Sequence, residues 1–292
     1  MGTGGQMSID FQSHITFAVI SKAGLQRKHN EDSFCCLPQE GCFMVADGLG
    51  GGMAGELASS MLCEEIADAV AACGTEMPAL RMDSIQKTIL LVNTDILSFA
   101  KKRNYSMMGT TLALLLFNPW TPHKADICHV GDSRIYRIRN HGIKQLTQDH
   151  SVGTELLKKD KTASPEKLTN HLNSRLSHLL TKAVGTSTVL EPEWNSVHIE
   201  SMDKYLICSD GITTMLSDSK IKEYMDNAKS PEEALNLLEE KTLEAGAKDN
   251  YTAIAIFLGA SLPDKDIPSP EEAAENEYII QTMGVLNHAS NL

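Results

Sequence analysis

The chain has 292 residues, of which 42% are hydrophobic and 22% charged, a composition typical of a folded globular protein. Its longest apolar run, Leu112–Phe117, is far shorter than the roughly 20 residues that cross a bilayer. The formal net charge of −12, without a basic stripe, argues against nucleic acid or an anionic membrane as the main partner.

The cysteines predict a reducing compartment. There are seven, scattered along the chain and without a CxxC pair, so we expect buried free thiols. The first residues, Met1–Met7, lack the apolar core of a secretory signal. We therefore expect a cytoplasmic protein.

Strand-like segments with turn residues between them dominate the chain. In chain order they are His14–Ser21, Ser33–Leu37, Cys42–Asp47, Thr110–Phe117, Ala125–Val130, Arg134–Arg139, Ile143–Leu146, Asn195–Ile199, Tyr205–Ser209 and Tyr251–Leu258. Asn140–Gly142 lies between two of these segments and predicts a hairpin turn.

Two long helices interrupt the strands. Met53–Ala72 carries apolar residues at helical spacing, and Ser84–Lys101 does so after Asp83, a favourable N-cap. A helix is also predicted from Ser230, where Ser-Pro-Glu-Glu forms a capping box with proline at the first helical position.

This order of elements predicts a layered α/β sandwich rather than a wound βαβ sheet. We assign residues 8–260 to one domain, in which the polar segment at about 148–182 is a flap-like insertion. Residues 261–292 form an acidic C-terminal tail that has room for one short helix.

Carboxylates recur at the ends of the predicted strands. Asp47, Asp132 and Asp210 follow apolar strands, whereas Glu31-Asp32 and Asp249 come just before strands. If the strands lie side by side, these carboxylates converge and repel each other unless cations lie between them. Oxygen ligands select hard cations such as Mg²⁺ or Mn²⁺, and a glycine after Asp47 leaves its own carbonyl accessible. The pattern therefore predicts a multi-metal carboxylate site.

The same residues resemble the successive motifs of the metal-dependent Ser/Thr protein phosphatases (PPM, type 2C), in bacterial form. The resemblance runs in order across residues 14–258 and rests on seven segments: Arg27–Asp32 (RKHNED), Val45–Gly51 (VADGLGG), Gly109–Thr111 (GTT), Val130–Arg134 (VGDSR), Leu180–Gly185 (LTKAVG), Cys208–Gly211 (CSDG) and Asp249–Asn250 (DN). Each motif is short and unspecific by itself, but seven of them in the family's order make the resemblance specific.

The resemblance implies a four-layer αββα sandwich, in which two antiparallel β-sheets are flanked by helix pairs. It also implies a binuclear Mn²⁺ or Mg²⁺ centre. By analogy Asp47 would bridge the two ions, Gly48 would offer its carbonyl to one of them, and Asp210 and Asp249 would ligate the other. The remaining assignments are Arg27 as the phosphate-binding residue, Glu31 and Asp32 as ligands acting through metal-bound water, and Asp132 as a ligand of a third, weaker ion.

The function implied is hydrolysis of phosphoserine and phosphothreonine on proteins. Paired cations would make a water between them the nucleophile, so no covalent phosphoenzyme is needed. The expected partners are phosphorylated proteins, the substrates of a bacterial Ser/Thr kinase, whose signalling the enzyme would reverse; neither nucleic acid nor membrane is expected.

Two positions depart from the family pattern. Thr214 stands where the motif at Asp210 commonly ends in an aspartate that helps to hold the third ion, so we expect weaker occupancy there. Leu49 stands where some relatives carry a histidine as candidate general acid, so the leaving-group proton has another source.

Three other interpretations compete with this one. Gly50–Gly55 matches the GxGxxG dinucleotide motif, but alternating βαβ units are lacking. Cys128 and Arg134 have the spacing of cysteine-based phosphatases, but a strand rather than a helix is predicted to follow. The third alternative is a catalytically weak pseudophosphatase that acts as a binding module, against which the retained Asp47, Asp210 and Asp249 argue.

Overall fold

The structure is a computed structural model that describes residues 14–73, 78–118, 123–159 and 179–260. The strands of this part are β1 (Ile15–Lys22), β2 (Asp32–Leu37), β3 (Cys42–Leu49), β4 (Gly109–Thr110), β5 (Leu112–Phe117), β6 (Lys124–Val130), β7 (Arg134–Arg139), β8 (Gly142–Gln145), β9 (Glu193–His198), β10 (Lys204–Cys208) and β11 (Tyr251–Leu258). The helices are α1 (Met53–Cys73), α2 (Pro78–Arg103), α3 (Val152–Lys159), α4 (Asp210–Thr213), α5 (Asp218–Asn227) and α6 (Pro231–Glu244).

The strands form two antiparallel sheets. One has the order β1-β11-β10-β7-β8, and the other has the order β2-β3-β5-β6-β9, with β4 paired to β3. The side chains of each central strand alternate between two cores. On β3, Met44 and Ala46 face the helices α1 and α2, whereas Phe43 and Val45 face the other sheet. Burial on both faces explains why these strands read as continuous apolar runs.

A third core lies under α5 and α6, where Leu235 and Leu238 pack with Leu206 and Ala253 of the other sheet. The layers are therefore helix pair, sheet, sheet and helix pair, which confirms the predicted αββα sandwich. Within the described ranges, no helix combines the length and apolar character of a membrane span.

The predicted turns and caps are largely confirmed. Asn140 and His141 have φ values of 49° and 58° between the paired Arg139 and Gly142, as a two-residue hairpin requires. Ser230 caps α6 by accepting the N–H of Glu233 at 3.2 Å. The Glu233 carboxylate accepts the N–H of Lys229 at 2.7 Å, whereas a capping box predicts the N–H of Ser230 as the donor.

The predicted start of the second helix is wrong. The helix begins at Pro78, so Asp83 lies inside it rather than at its N-cap. Proline is compatible with the first helical position because its missing N–H has no partner there, and Asp83 is accommodated one turn before Lys87, whose ammonium lies 2.7 Å from its carboxylate.

The two ends of the predicted insertion lie side by side. Ser151 bridges to Leu180, and the Val152 N–H donates to the carbonyl of Leu179 at 2.9 Å. Within the insertion, α3 is described and residues 160–178 lie outside the described ranges, as does the predicted tail at 261–292.

Candidate metal centre

A cavity of about 490 Å³ opens at the end of the sandwich where β2 and β11 begin and β3, β6 and β10 end. Five carboxylates line it: those of Glu31, Asp47, Asp132, Asp210 and Asp249. Arg27 and Gly48 also line the cavity. Residues predicted from separate segments of the sequence therefore come together at one place.

Asp32 lies immediately beside this cavity, opposite Asp47 in the β2–β3 register. Like charges on directly opposed strand positions repel each other. The Ser209 hydroxyl donates to Oδ2 of Asp32 at 2.7 Å, while Oδ1 is buried without a hydrogen-bond partner. Burial and the nearby charges of Asp210 and Asp249 raise the pKa of Asp32 to about 7, against the opposing effect of its hydrogen bonds.

The same crowding affects two more carboxyl groups. Burial and the charges of Asp32 and Asp210 raise the pKa of Asp47 well above its usual range. Burial and the charge of Asp210 raise the pKa of Asp132 to about 7. Without a counter-charge, the folded protein therefore disfavours full ionisation of this cluster.

Glu31 is held by main-chain groups. Its Oε1 accepts the N–H of Gly52 at 2.7 Å, and its carbonyl accepts the N–H of Gly48 at 3.1 Å. A Cβ atom at Gly48 would collide with the carbonyls of Glu31 and Gly55, so only glycine brings this backbone so close to the carboxylates.

Asn250 links two sides of the site, a role that the sequence did not reveal. Its Oδ1 accepts the N–H of Glu31 at 3.1 Å, and its Nδ2 donates to the carbonyl of His29 at 2.8 Å. In the sequence Asn250 stands out only as part of the Asp249–Asn250 motif, which gives it no role. Ser209, which supports Asp32, likewise stands out only as part of the Cys208–Gly211 motif.

Arg27 reaches the site from an exposed loop. Its Nη2 lies 2.6 Å from Oδ2 of Asp249. Burial alone would lower the pKa of Arg27, but the hydrogen bond and charge of Asp249 outweigh it and raise the pKa. The guanidinium therefore stays charged at the cavity edge, where it can bind an anion.

The residues present fit hard divalent cations. The cavity is lined by carboxylate groups and by Gly48, and carboxylate and main-chain carbonyl oxygens are the donors that Mg²⁺ and Mn²⁺ prefer. The mutually raised carboxyl pKa values and the buried, unpartnered Oδ1 of Asp32 both indicate that positive charge is needed here.

The structure also shows where Leu49 and Thr214, the two positions that depart from the family pattern, lie. Leu49 lines the cavity. Thr214 is exposed on the turn after α4, and its hydroxyl donates to the carbonyl of Asp210 at 2.8 Å.

The competing motifs do not form their own sites. Cys128 is fully buried inside β6, where burial raises the pKa of its thiol, and Arg134 begins a strand and pairs with Asp149 at 2.6 Å. Gly50 and Gly51 follow a strand of an antiparallel sheet and line the carboxylate cavity, so they do not open a dinucleotide fold.

Comparison with known proteins agrees with this geometry. The sequence profile of the family described as Protein phosphatase 2C matches residues 26–246. A Listeria monocytogenes (serotype 4b, strain F2365) protein named serine/threonine phosphatase stp is 32% identical over 238 residues, which cover 80% of this chain and 92% of that relative.

Solved structures are similar over most of the chain. Serine/threonine phosphatase Stp1 from Staphylococcus aureus has a TM-score of 0.77 at 26% identity and covers 88% of this chain and 99% of its own. The catalytic domain of the serine/threonine protein phosphatase PstP, solved in complex with two manganese ions, has a TM-score of 0.68 at 27% identity, with 84% and 99% covered. The chain therefore belongs to the protein phosphatase 2C family of serine/threonine phosphatases.

Proposed function

We propose that the chain hydrolyses phosphoserine and phosphothreonine on proteins in a reaction that depends on Mn²⁺ or Mg²⁺ and forms no covalent phosphoenzyme. The observation that carries this proposal is the convergence of five carboxylates and the Gly48 backbone in one open cavity beside Arg27. An acidic cavity repels a phosphate ester, so this arrangement suits phosphate chemistry only when cations are bound between carboxylates and substrate.

Asp47, Gly48, Asp210 and Asp249 would hold the two core ions, and Glu31 and Asp32 would hold water molecules around them. Asp132 would ligate a third, weaker ion. Bound divalent cations supply a water of lowered pKa as nucleophile and stabilise negative charge on phosphoryl oxygens. The support is the oxygen-only donor set, and the structure of the relative PstP with two manganese ions agrees with it.

Arg27 would bind the substrate phosphate. Its charged guanidinium lies at the cavity edge, and its pairing with Asp249 directs it toward the carboxylate cluster. A guanidinium can donate two parallel hydrogen bonds to phosphoryl oxygens, which orients the ester for in-line attack.

The lining argues against a thiol or an imidazole as the nucleophile. Among the described residues that line the cavity there is no cysteine, serine or histidine, and Cys128 is buried in its strand. We therefore infer that no thiol or imidazole forms a phosphoenzyme here. The natural substrates would be proteins phosphorylated on serine or threonine, in line with the names of the relatives, and a Ser/Thr kinase would produce them.

The test is hydrolysis of a phosphothreonine peptide with Mn²⁺ or with a chelator, by the wild type and by Asp47→Asn. We expect hydrolysis that needs the metal and is lost in Asp47→Asn. The matched control is Asp83→Asn, an exposed aspartate on α2, which keeps wild-type activity. Peptide binding without turnover would support the pseudophosphatase, and activity that survives chelation but is lost in Cys128→Ser would support a cysteine mechanism.

A further inference from the structure

Two histidines and a glutamate form a cluster outside the carboxylate cavity. His129 lies on β6, His150 follows β8, and Glu193 begins β9. One ligand atom from each lies within 4.8 Å of the others. The two rings stack with centroids 4.9 Å apart and an angle of 8° between their planes.

The hydrogen bonds of His150 show whether this cluster is suited to bind a metal ion or whether His150 and Glu193 form a clamp, that is, a pair that fixes neighbouring groups by hydrogen bonds. The Gly131 N–H donates to Nδ1 of His150 at 3.0 Å. Because a peptide N–H can only donate, Nδ1 must be the acceptor, so Nε2 carries the proton of the neutral ring. Nε2 then donates to Oε1 of Glu193 at 2.7 Å. A metal on Nε2 would have to displace this proton while Nδ1 still faces a donor, which disfavours coordination.

His150 holds Gly131 by its backbone as well as by its side chain. The His150 N–H donates to the carbonyl of Gly131 at 2.9 Å. Gly131 has a φ of +101°, and a Cβ there would collide with Thr111, so this turn is tightly packed against Thr111. The next residue is Asp132, which lines the carboxylate cavity.

The other side of the clamp reaches a different wall of the cavity. Oε1 of Glu193 also accepts from Nζ of Lys182 at 3.2 Å, and Lys182 lines the cavity. The Thr181 N–H donates to the carbonyl of His150 at 2.8 Å. Burial opposes ionisation of Glu193, but its bonds with His150 and Lys182 prevail and lower its pKa to about 2.

We propose that His150 and Glu193 are positioning residues that act on two walls of the catalytic cavity at once. The Nδ1 side of His150 fixes Gly131 and thereby Asp132, and the Nε2 side fixes Lys182 through Glu193. This inference rests on the proposed function, because it assigns Asp132 to metal binding and Lys182 to the substrate side of that site.

Two substitutions separate the two sides of the ring. In His150→Asn the amide oxygen lies as far along the side chain as Nδ1 and can accept from Gly131, but nothing reaches Glu193. In His150→Gln the amide nitrogen lies where Nε2 does and can donate to Glu193, but the acceptor for Gly131 is lost. The matched controls are the same substitutions at His141, which is 91% exposed and pairs with Asp226 at 3.4 Å.

The readouts are calorimetric titration with Mn²⁺ and the KM for a phosphothreonine peptide. We expect His150→Gln to weaken the weakest Mn²⁺ binding step about tenfold, as loss of an outer support does elsewhere, with KM unchanged. We expect His150→Asn to raise KM about threefold, the effect of a partly exposed charge pair, with Mn²⁺ binding unchanged. Glu193→Gln, on a half-exposed strand position, should behave like His150→Asn. It tests the Lys182 side of the clamp if a His150 variant does not fold.

Equal effects of the two His150 substitutions on both readouts, or no effect of either, would overturn the clamp. An additional Zn²⁺ bound by the wild type and lost in both His150→Asn and Glu193→Gln would overturn it in favour of a metal site. Failure of the wild type to bind Mn²⁺ or to hydrolyse the peptide would instead refute the proposed function.

Discussion

Replacing Asp32 by asparagine should stabilise the metal-free protein and remove part of its response to metal. Asp32 is buried next to other carboxylates, and its pKa is raised from 3.8 to about 7. An acid whose pKa is raised on folding destabilises the folded state by the full amount when the pH is above the folded-state pKa. The penalty shrinks as the pH falls and disappears below the unfolded-state pKa. Asparagine keeps an acceptor for the Ser209 hydroxyl and removes the charge.

The magnitude follows from the shift. At about 1.4 kcal/mol per pKa unit, the change from 3.8 to about 7 limits the gain to about 4 kcal/mol above pH 7. We expect about 1–3 kcal/mol at pH 8, because the remaining carboxylates relax in both proteins. At pH 5 the upper limit falls to about 1.7 kcal/mol, because the folded wild type is then protonated at Asp32 but the unfolded chain is still ionised. The gain disappears only below the unfolded pKa of 3.8.

Mn²⁺ should narrow the stability difference between the two proteins. An ion at a hundred times its Kd stabilises the folded protein by about 2.7 kcal/mol, or about 5–10 °C in Tm for a domain of this size. Asp32→Asn should gain less, because the negative charge that would hold metal-bound water is lost. Protons compete with the ion for these carboxylates, so the wild-type gain should be smaller at pH 5 than at pH 8.

The assay is thermal unfolding of wild type, Asp32→Asn and the exposed control Asp83→Asn at both pH values, with chelator and with Mn²⁺. The control should match the wild type under all four conditions. A chelated Asp32→Asn that is less stable than the chelated wild type at pH 8, or a wild type that Mn²⁺ does not stabilise, would refute the reasoning.

Three further variants test the site and the fold. Gly48→Ala should lose metal binding and, in chemical denaturation, about 1–3 kcal/mol or more of stability, because its Cβ would collide with backbone carbonyls. Gly142→Ala is the control: its Cβ would meet only one atom, at 3.3 Å, so its stability should be close to that of the wild type. Asp203→Asn should cost about 3–5 kcal/mol in chemical denaturation, because the fully buried Asp203 carboxylate accepts two hydrogen bonds of 2.6 Å from Arg139. A loss below about 1 kcal/mol would contradict this expectation. Thr214→Asp should tighten one Mn²⁺ binding step in calorimetry. Thr94→Asp should not, although the exposed Thr94 hydroxyl also donates to the carbonyl four residues before it. An unchanged titration for Thr214→Asp would refute the proposal that an aspartate at this position helps to hold a third ion.

Local sequence determined most of the secondary structure because its signals are local. The apolar runs of β5 and β11 lie between turn residues, and the structure places these strands at or within one or two residues of their predicted limits. The start of α2 was predicted wrongly because Asp83 is as compatible with an interior helical position beside Lys87 as with an N-cap.

The sequence also determined which side chains make up the candidate site, since strand-end carboxylates in a fixed order are visible without a structure. Their supports were not visible, because each is a contact between residues far apart in the chain. Ser209 reaches Asp32 across 177 positions, Asn250 reaches Glu31 across 219, and His150 reaches Glu193 across 43. Only the packing of two sheets brings these residues within hydrogen-bond distance, so the tertiary structure alone decided which polar groups hold the carboxylates in place.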